Sequence, residues 1–249
     1  LWLGIGGYDT LFRRSREDSD LVQRCLHKGI KLKQTFGAIV YHFTCTSSRG
    51  KDWFKNDNIE AQNRVKMQNQ ADQIELKRFI RKWGGFNHGT EKINKYDIDL
   101  EIQNSSKLPP HIISNIEPLF SRVWIDDAAV SKIINEDVSK EHELANKLLN
   151  FTDKQWEKTS KYHNLDNYSE IFLLQDDHIL EYDVKLTIDG NTLENSDFEV
   201  INQIHKIIEN YDRGHYEYGN IKLSIYKKNT INNTVCTNPD FDMNLLKIS

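Results

Sequence analysis

The chain has no basic excess: 33 Lys and Arg stand against 37 Asp and Glu, a net charge of −4. A general nucleic-acid surface needs the opposite balance to neutralise phosphates, so that class of partner is excluded. No long apolar run exists, which leaves no membrane-spanning helix, and no charged-then-apolar leader is visible. Cysteine is scarce, odd in number and scattered, at Cys25, Cys45 and Cys236. Reduced thiols in a cytoplasm fit that usage better than a disulfide framework. No initiator Met precedes "LWLGIGG", from which we expect the later part of a longer protein.

What remains is ordinary globular composition over 249 residues, enough for one large or two modest domains with real cores. Ser15 stands three residues before Asp18, a capping-box spacing. Leu21, Val22, Cys25 and Leu26 form one apolar face, and Lys28-Gly29 is a stop signal. These predict a helix over about 17–28. "IKLKQTFGAIVYHF" (30–43) is rich in β-branched and aromatic residues and predicts two strand segments bent at Gly37. A long helix is predicted over 58–83, with Met67, Ala71, Ile74, Phe79, Ile80 and Trp83 on one stripe and Gly84-Gly85 as its end.

From about residue 90 the pattern changes. In "KYDIDLEI" (95–102), Tyr96, Ile98, Leu100 and Ile102 alternate with Asp97, Asp99 and Glu101, the pattern of a strand with one buried and one wet face. "EYDVKLTI" (181–188) repeats it. Each copy leads into a loop, a helix (about 111–119 and 198–210) and a further strand, "RVWID" and "NIKLSIY". Helices over 128–150 and 152–162 are expected between the copies. Two β-α-β halves predict a small α/β domain.

The acidic turn Glu17-Asp18-x-Asp20 has two readings. Carboxylates in a first helical turn complement the helix dipole and need no other role. Alternatively, Asp18, kept ionised by that dipole and the backbone N–H groups, serves as a general base toward a substrate hydroxyl. Gly6-Gly7 would let backbone approach a bulky ligand. His42, at the end of an apolar run, reads as a core histidine or as a metal ligand with carboxylate partners. A zinc site from Cys25-x-His27 and His42-x-x-Cys45 fails, because residues two apart on a helix point about 200° apart. Asp126-Asp127 and Asp176-Asp177 read as polar turns, and the histidines at 111, 142, 163, 178, 205 and 215 show no ligand spacing.

Taken in order, "GGYDTLF", "EDSDLVQRCLHKG", "VYHF" and "TSSRG" resemble the second half of a GT-A glycosyltransferase of the family-2 type. "RFIRKWGG" (78–85) is similar to the end of such domains in viral and bacterial relatives. The resemblance covers about residues 1–88 and implies an α/β, Rossmann-like fold: the C-terminal half of a GT-A domain over 1–88, then an accessory α/β domain of unnamed role over 89–249. It implies transfer of a sugar from a nucleotide-sugar donor to an acceptor hydroxyl, inverting and dependent on Mn²⁺ or Mg²⁺, in the cytoplasm (the host's, for a viral member). Asp18 matches the family's base, with Glu17 beside it and Asp20 in the same acceptor-side surface. Gly6, Gly7 and Tyr8 match the donor–acceptor loop, His42 the histidine that completes metal or diphosphate binding, and Arg49 lies where a cation could steady the leaving diphosphate. The nucleotide-binding half, with its Asp-x-Asp metal motif, would precede Leu1, so this chain alone is expected to be inactive. The rival expectation is a non-enzymatic binding or assembly protein whose acidic turn only caps a helix.

Overall fold

Three rows of aliphatic side chains hold the sheet together. The first runs Val123–Leu100–Leu186–Leu223 across four strands in register, the second Ile125–Ile102–Ile188–Ile221, and the third Ile98–Val184–Ile225. All eleven are essentially inaccessible to solvent. Strands of period 2 place such residues on one face only, so the rows define where the core lies. The computed structural model describes residues 5–9, 12, 15–33, 37, 59–86, 91–148, 169–174 and 182–231.

Among those residues the architecture is α/β, with six helices and a six-stranded mixed sheet. The helices are α1 (Glu17–His27), α2 (Ile59–Trp83), α3 (Pro110–Ile116), α4 (Ala128–Leu148), α5 (Asp197–Asn202) and α6 (Ile204–Asn210). The strands are β1 (Ile98–Gln103), β2 (Arg122–Ile125), β3 (Glu170–Leu173), β4 (Val184–Asp189), β5 (Gly214–Tyr218) and β6 (Ile221–Ile225), in the order β3-β2-β1-β4-β6-β5. The first four strands of that order are parallel, and β6 and β5 form an antiparallel hairpin on its edge. The parallel part is the order of a doubly wound sheet, which reverses direction between β1 and β4. Ile113, Ile134, Ile201, Ile204 and Ile208 bring α3 to α6 onto the aliphatic rows in one core.

Four sequence expectations are corrected here. The polar face of β1 is mostly covered: Asp99 and Glu101 are buried and Gln103 alone of that face is exposed, because long basic side chains of the neighbouring strands lie over the two carboxylates. Asp99 sits opposite Arg122 in register and takes two hydrogen bonds from its guanidinium, one at 3.0 Å, while Lys185 pairs with Glu101. The second β-α-β half is not a copy of the first, since its chain returns through a hairpin and β6 runs antiparallel to β4. The intervening segment predicted as helix 198–210 is split into α5 and α6 at Gln203. Met67, expected on the buried stripe of α2, is 49% exposed. The predicted helix over 152–162 and Asp176-Asp177 lie outside the described residues, as does nearly all of the predicted strand pair, whose residues 30–33 carry no strand.

α2 joins the two parts of the chain. Its C-terminal half is buried nearly all round. One side carries Phe79 and Trp83 against Phe12; the other carries Arg81, which forks onto Glu117 (2.7 and 3.2 Å) and reaches Glu141 at 2.9 Å, with Lys77 at 2.8 Å from the same Glu141. Burial alone would favour the neutral acid at Glu141, but Arg81 and Lys77 outweigh it and hold its pKa below the usual value. Gly84 ends the helix at a φ of 86°. A Cβ there would stand 2.9 Å from the Lys95 side chain and 3.0 Å from the His205 ring.

His205 is clamped as the neutral imidazole. Its Nδ1 accepts from the Tyr96 N–H at 3.0 Å, and its Nε2–H donates to the Leu119 carbonyl at 2.8 Å. Complete burial, with Lys95 nearby, pushes its pKa down to about 3. The unfolded chain takes up a proton below about pH 6.5 that the folded chain excludes, so this contribution is present above that pH and is lost on acidification toward pH 3. Urea unfolding should therefore show stability falling by up to about 1.4 kcal/mol per pH unit across that window. His205→Gln should lack this component; equal slopes in both proteins would show that His205 is not excluded from protonation.

Candidate functional site

The Gly-Gly turn exists because the backbone there is left-handed twice running. Gly6 has φ 82° and Gly7 φ 69°, a pair of conformations that side chains disfavour. From Gly7 on, the chain alternates in depth. Gly7 is buried, Tyr8 is exposed and Asp9 is fully buried. The Asp9 carbonyl accepts from the Phe12 N–H at 3.1 Å.

The flanks of Tyr8 are tied to a buried ionic knot. Asp20 accepts from Arg24 Nε at 2.7 Å on one oxygen, and from Trp83 Nε1 at 3.0 Å and Lys82 Nζ at 2.7 Å on the other. Lys82 also holds Asp9 at 2.7 Å, and Arg24 donates to the carbonyls of Gly7, at 2.6 Å, and of Ile5. Asp9, Asp20 and Arg24 are wholly buried and Lys82 nearly so. Among the described residues two carboxylates face two cations, the kind of pairing under which buried charge is tolerated. The sequence expectation put Asp20 on the acceptor-side surface; the structure puts it underneath, where its carboxylate positions loop and helix.

The helix start differs from the predicted capping box. Arg16, at φ 72°, is the N-cap residue and no side chain caps the helix. Ser15 instead gives its N–H and its hydroxyl to Glu75 of α2, at 2.5 and 3.0 Å. The Arg16 guanidinium lies 4.4 Å over the Phe86 ring. The other end of α1 follows its sequence signal: Gly29 at φ 71°, with Ile30 N–H bonded to Cys25 O and Gly29 N–H to Leu26 O, is a Schellman stop.

Outside the knot lie Glu17 and Asp18. Asp18 is exposed at the first turn of α1, where the helix dipole favours its charge. Its Oδ1 accepts from the Tyr8 hydroxyl at 3.1 Å. That hydrogen bond, the Asp18 charge, partial burial and Glu17 together raise the pKa of the Tyr8 phenol. Tyr8 and Asp18 therefore form an outward-facing pair, with Gly6 and Glu17 half-buried beside it, Gly7 buried beneath it and Asp20 as its foundation. His42 and Arg49 lie outside the described residues.

Two further places carry polar or sulfur-bearing side chains. Cys25 is a buried free thiol, while His27 stacks on Trp83 at 5.1 Å and bonds Ile93 O at 2.8 Å, so the two side chains are engaged separately. The reversal point between β1 and β4, where open α/β sheets receive ligands, is filled by its own hydrogen bonds. Asp126 takes the N–H groups of Asn104 (2.5 Å) and Ser105 (2.9 Å) and the Ser105 hydroxyl, Asn104 Nδ2 reaches Asp189 at 2.9 Å, and a Cβ on Gly190 would stand 2.4 Å from Asn104 O. Asp127 is used as the N-cap of α4, accepting from Ala129 and Val130. Among the described residues no group of three or more His, Cys, Asp or Glu could hold a metal ion; His42, the ligand expected from the resemblance, lies outside them.

Sequence reasoning missed Asp9, Arg24, Lys82 and Trp83. Asp20 and Arg24 stand four apart on one helix, a spacing that signals an ion pair; nothing local links Asp20 to Lys82, 62 residues further on. No family model, curated protein or solved structure matches this chain.

Burial separates the knot from the surface carboxylate, and stability measurements should show it. Lys82→Met leaves two buried carboxylates short of a cation and should cost about 3–5 kcal/mol in urea unfolding. Asp18→Asn, at an exposed position, should stay within about 0.5 kcal/mol of the parent. Similar costs for both would contradict the division into foundation and surface.

Proposed function

We propose that residues 1–88 are the acceptor side of an inverting GT-A glycosyltransferase of the family-2 type, with Asp18 as general base. The observation that carries the reading is the contrast between two carboxylates two residues apart. Asp20 is sealed in an ion-paired core, whereas Asp18 stands in solvent beside the Gly-Gly loop, with Tyr8 bound to one of its oxygens. A base needs an accessible oxygen within reach of an incoming hydroxyl, and Asp18 has that while Asp20 does not.

In this reading the donor is a nucleotide diphosphate sugar, Glu17 shapes the acceptor side, and the rigid turn at Gly6-Gly7 sets the distance between backbone and sugar. His42 and Arg49 keep their proposed roles at the diphosphate. Among the described residues no group of three or more His, Cys, Asp or Glu could hold a metal ion. Residues 89–249 would be the accessory α/β part, coupled to the site through α2. A binding or assembly role, with the acidic turn serving only the helix dipole, is the alternative.

The test is turnover of UDP- and GDP-sugars by the full-length protein and its Asp18→Asn form. General-base loss should lower kcat by about 10²–10⁴-fold with the fold intact by circular dichroism. Undiminished turnover in Asp18→Asn would reject Asp18 as the base, and absence of any turnover in the full-length parent would favour the binding role.

A further inference from the structure

The depth pattern of the loop gives Tyr8 a task of its own. Gly7 is held from below by Arg24 and Asp9 by Lys82, so the residue between two anchored neighbours is turned outward, and its hydroxyl meets the Asp18 carboxylate at 3.1 Å. The Tyr8 hydroxyl lies in the fields of both Asp18 and Glu17. The charges of Asp9, Asp20, Arg24 and Lys82 are committed to one another in the buried layer. The contact places a phenol on one oxygen of the carboxylate, above a buried, ion-paired layer.

Resting on the reading of Asp18 as the general base, we propose that Tyr8 is its positioning residue: the phenol O–H fixes Oδ1 and so presents Oδ2 to the acceptor hydroxyl. In the transfer step the acceptor O–H proton passes to Oδ2 while the acceptor oxygen bonds to the anomeric carbon. The bond from that carbon to the diphosphate oxygen breaks, and its electron pair leaves on the nucleotide diphosphate. Tyr8 keeps its proton and donates to Oδ1 before and after. The raised pKa of its phenol is consistent with a group that donates and does not ionise at neutral pH. Part of the base's alignment is thereby pre-organised before the acceptor arrives. The position calls for an aromatic ring with a hydroxyl, which a phenylalanine would not satisfy.

The experiment uses the full-length protein with a panel of UDP- and GDP-sugars. Tyr8→Phe should lower kcat about three- to tenfold with the nucleotide-sugar KM unchanged, since the ring and the anchored loop are retained. A second measurement is independent of turnover: 3-fluorotyrosine placed at position 8 and followed by ¹⁹F NMR should titrate at a lower pH in Asp18→Asn than in the parent, because the acceptor carboxylate is gone. Parental kcat in Tyr8→Phe, or a phenol titration that ignores Asp18→Asn, would overturn the role of Tyr8. The two readings fail differently: an active Asp18→Asn removes the base itself, whereas an inactive Asp18→Asn beside a fully active Tyr8→Phe removes only the positioning.

Discussion

The buried pairing of Asp20 with Arg24 and Lys82 is the constraint on which the candidate site depends. It joins three separate pieces of chain, the Gly-Gly loop, the start of α1 and the end of α2, through charges wholly removed from water. Each charge is tolerable only while its partners are in place, since an uncompensated buried ion costs several kcal/mol, roughly. The knot therefore acts as an all-or-nothing geometric lock. The exposed carboxylate and phenol above it inherit their positions from that lock.

The lock is in turn attached to the sheet. Lys82 and Trp83 take part in the knot from one side of α2, while Arg81 and Lys77 bind Glu117 and Glu141 from the other. Gln23 of α1 adds a two-way amide bond to the backbone of Glu91 and Ile93. Packed aliphatic rows, an ion-paired helix and a surface dyad thus form one physical sequence from core to site. Gly84 permits it, because the helix end closes against Lys95 and His205 with no room for a side chain.

Local signals read well wherever a segment answered to its own neighbours. The Lys28-Gly29 stop, the ends of α2, and the aliphatic alternation of β1, β4 and β6 appear where the sequence pattern puts them. They fail where another part of the chain competes. Ser15 is drawn from its capping box by Glu75, Asp99 is taken from the wet face by Arg122, and the second half of the apparent repeat becomes a hairpin because β5 pairs beside β6. Of the site, the Gly-Gly loop and the acidic helix start were legible as two segments, but not the burial of Gly7, the half-burial of Glu17 or the different depths of Asp18 and Asp20.

By itself the sequence determined the α/β class, the periodicities of its main elements and the acidic turn after a Gly-Gly loop, because these depend on residues within a few positions of each other. Only the tertiary structure decided which carboxylate is buried and which is available. Asp18 and Asp20 differ by two places on one helix, about 200° of rotation. That rotation aims one at Lys82 and Trp83, contributed from more than 60 residues away, and the other at Tyr8 and solvent.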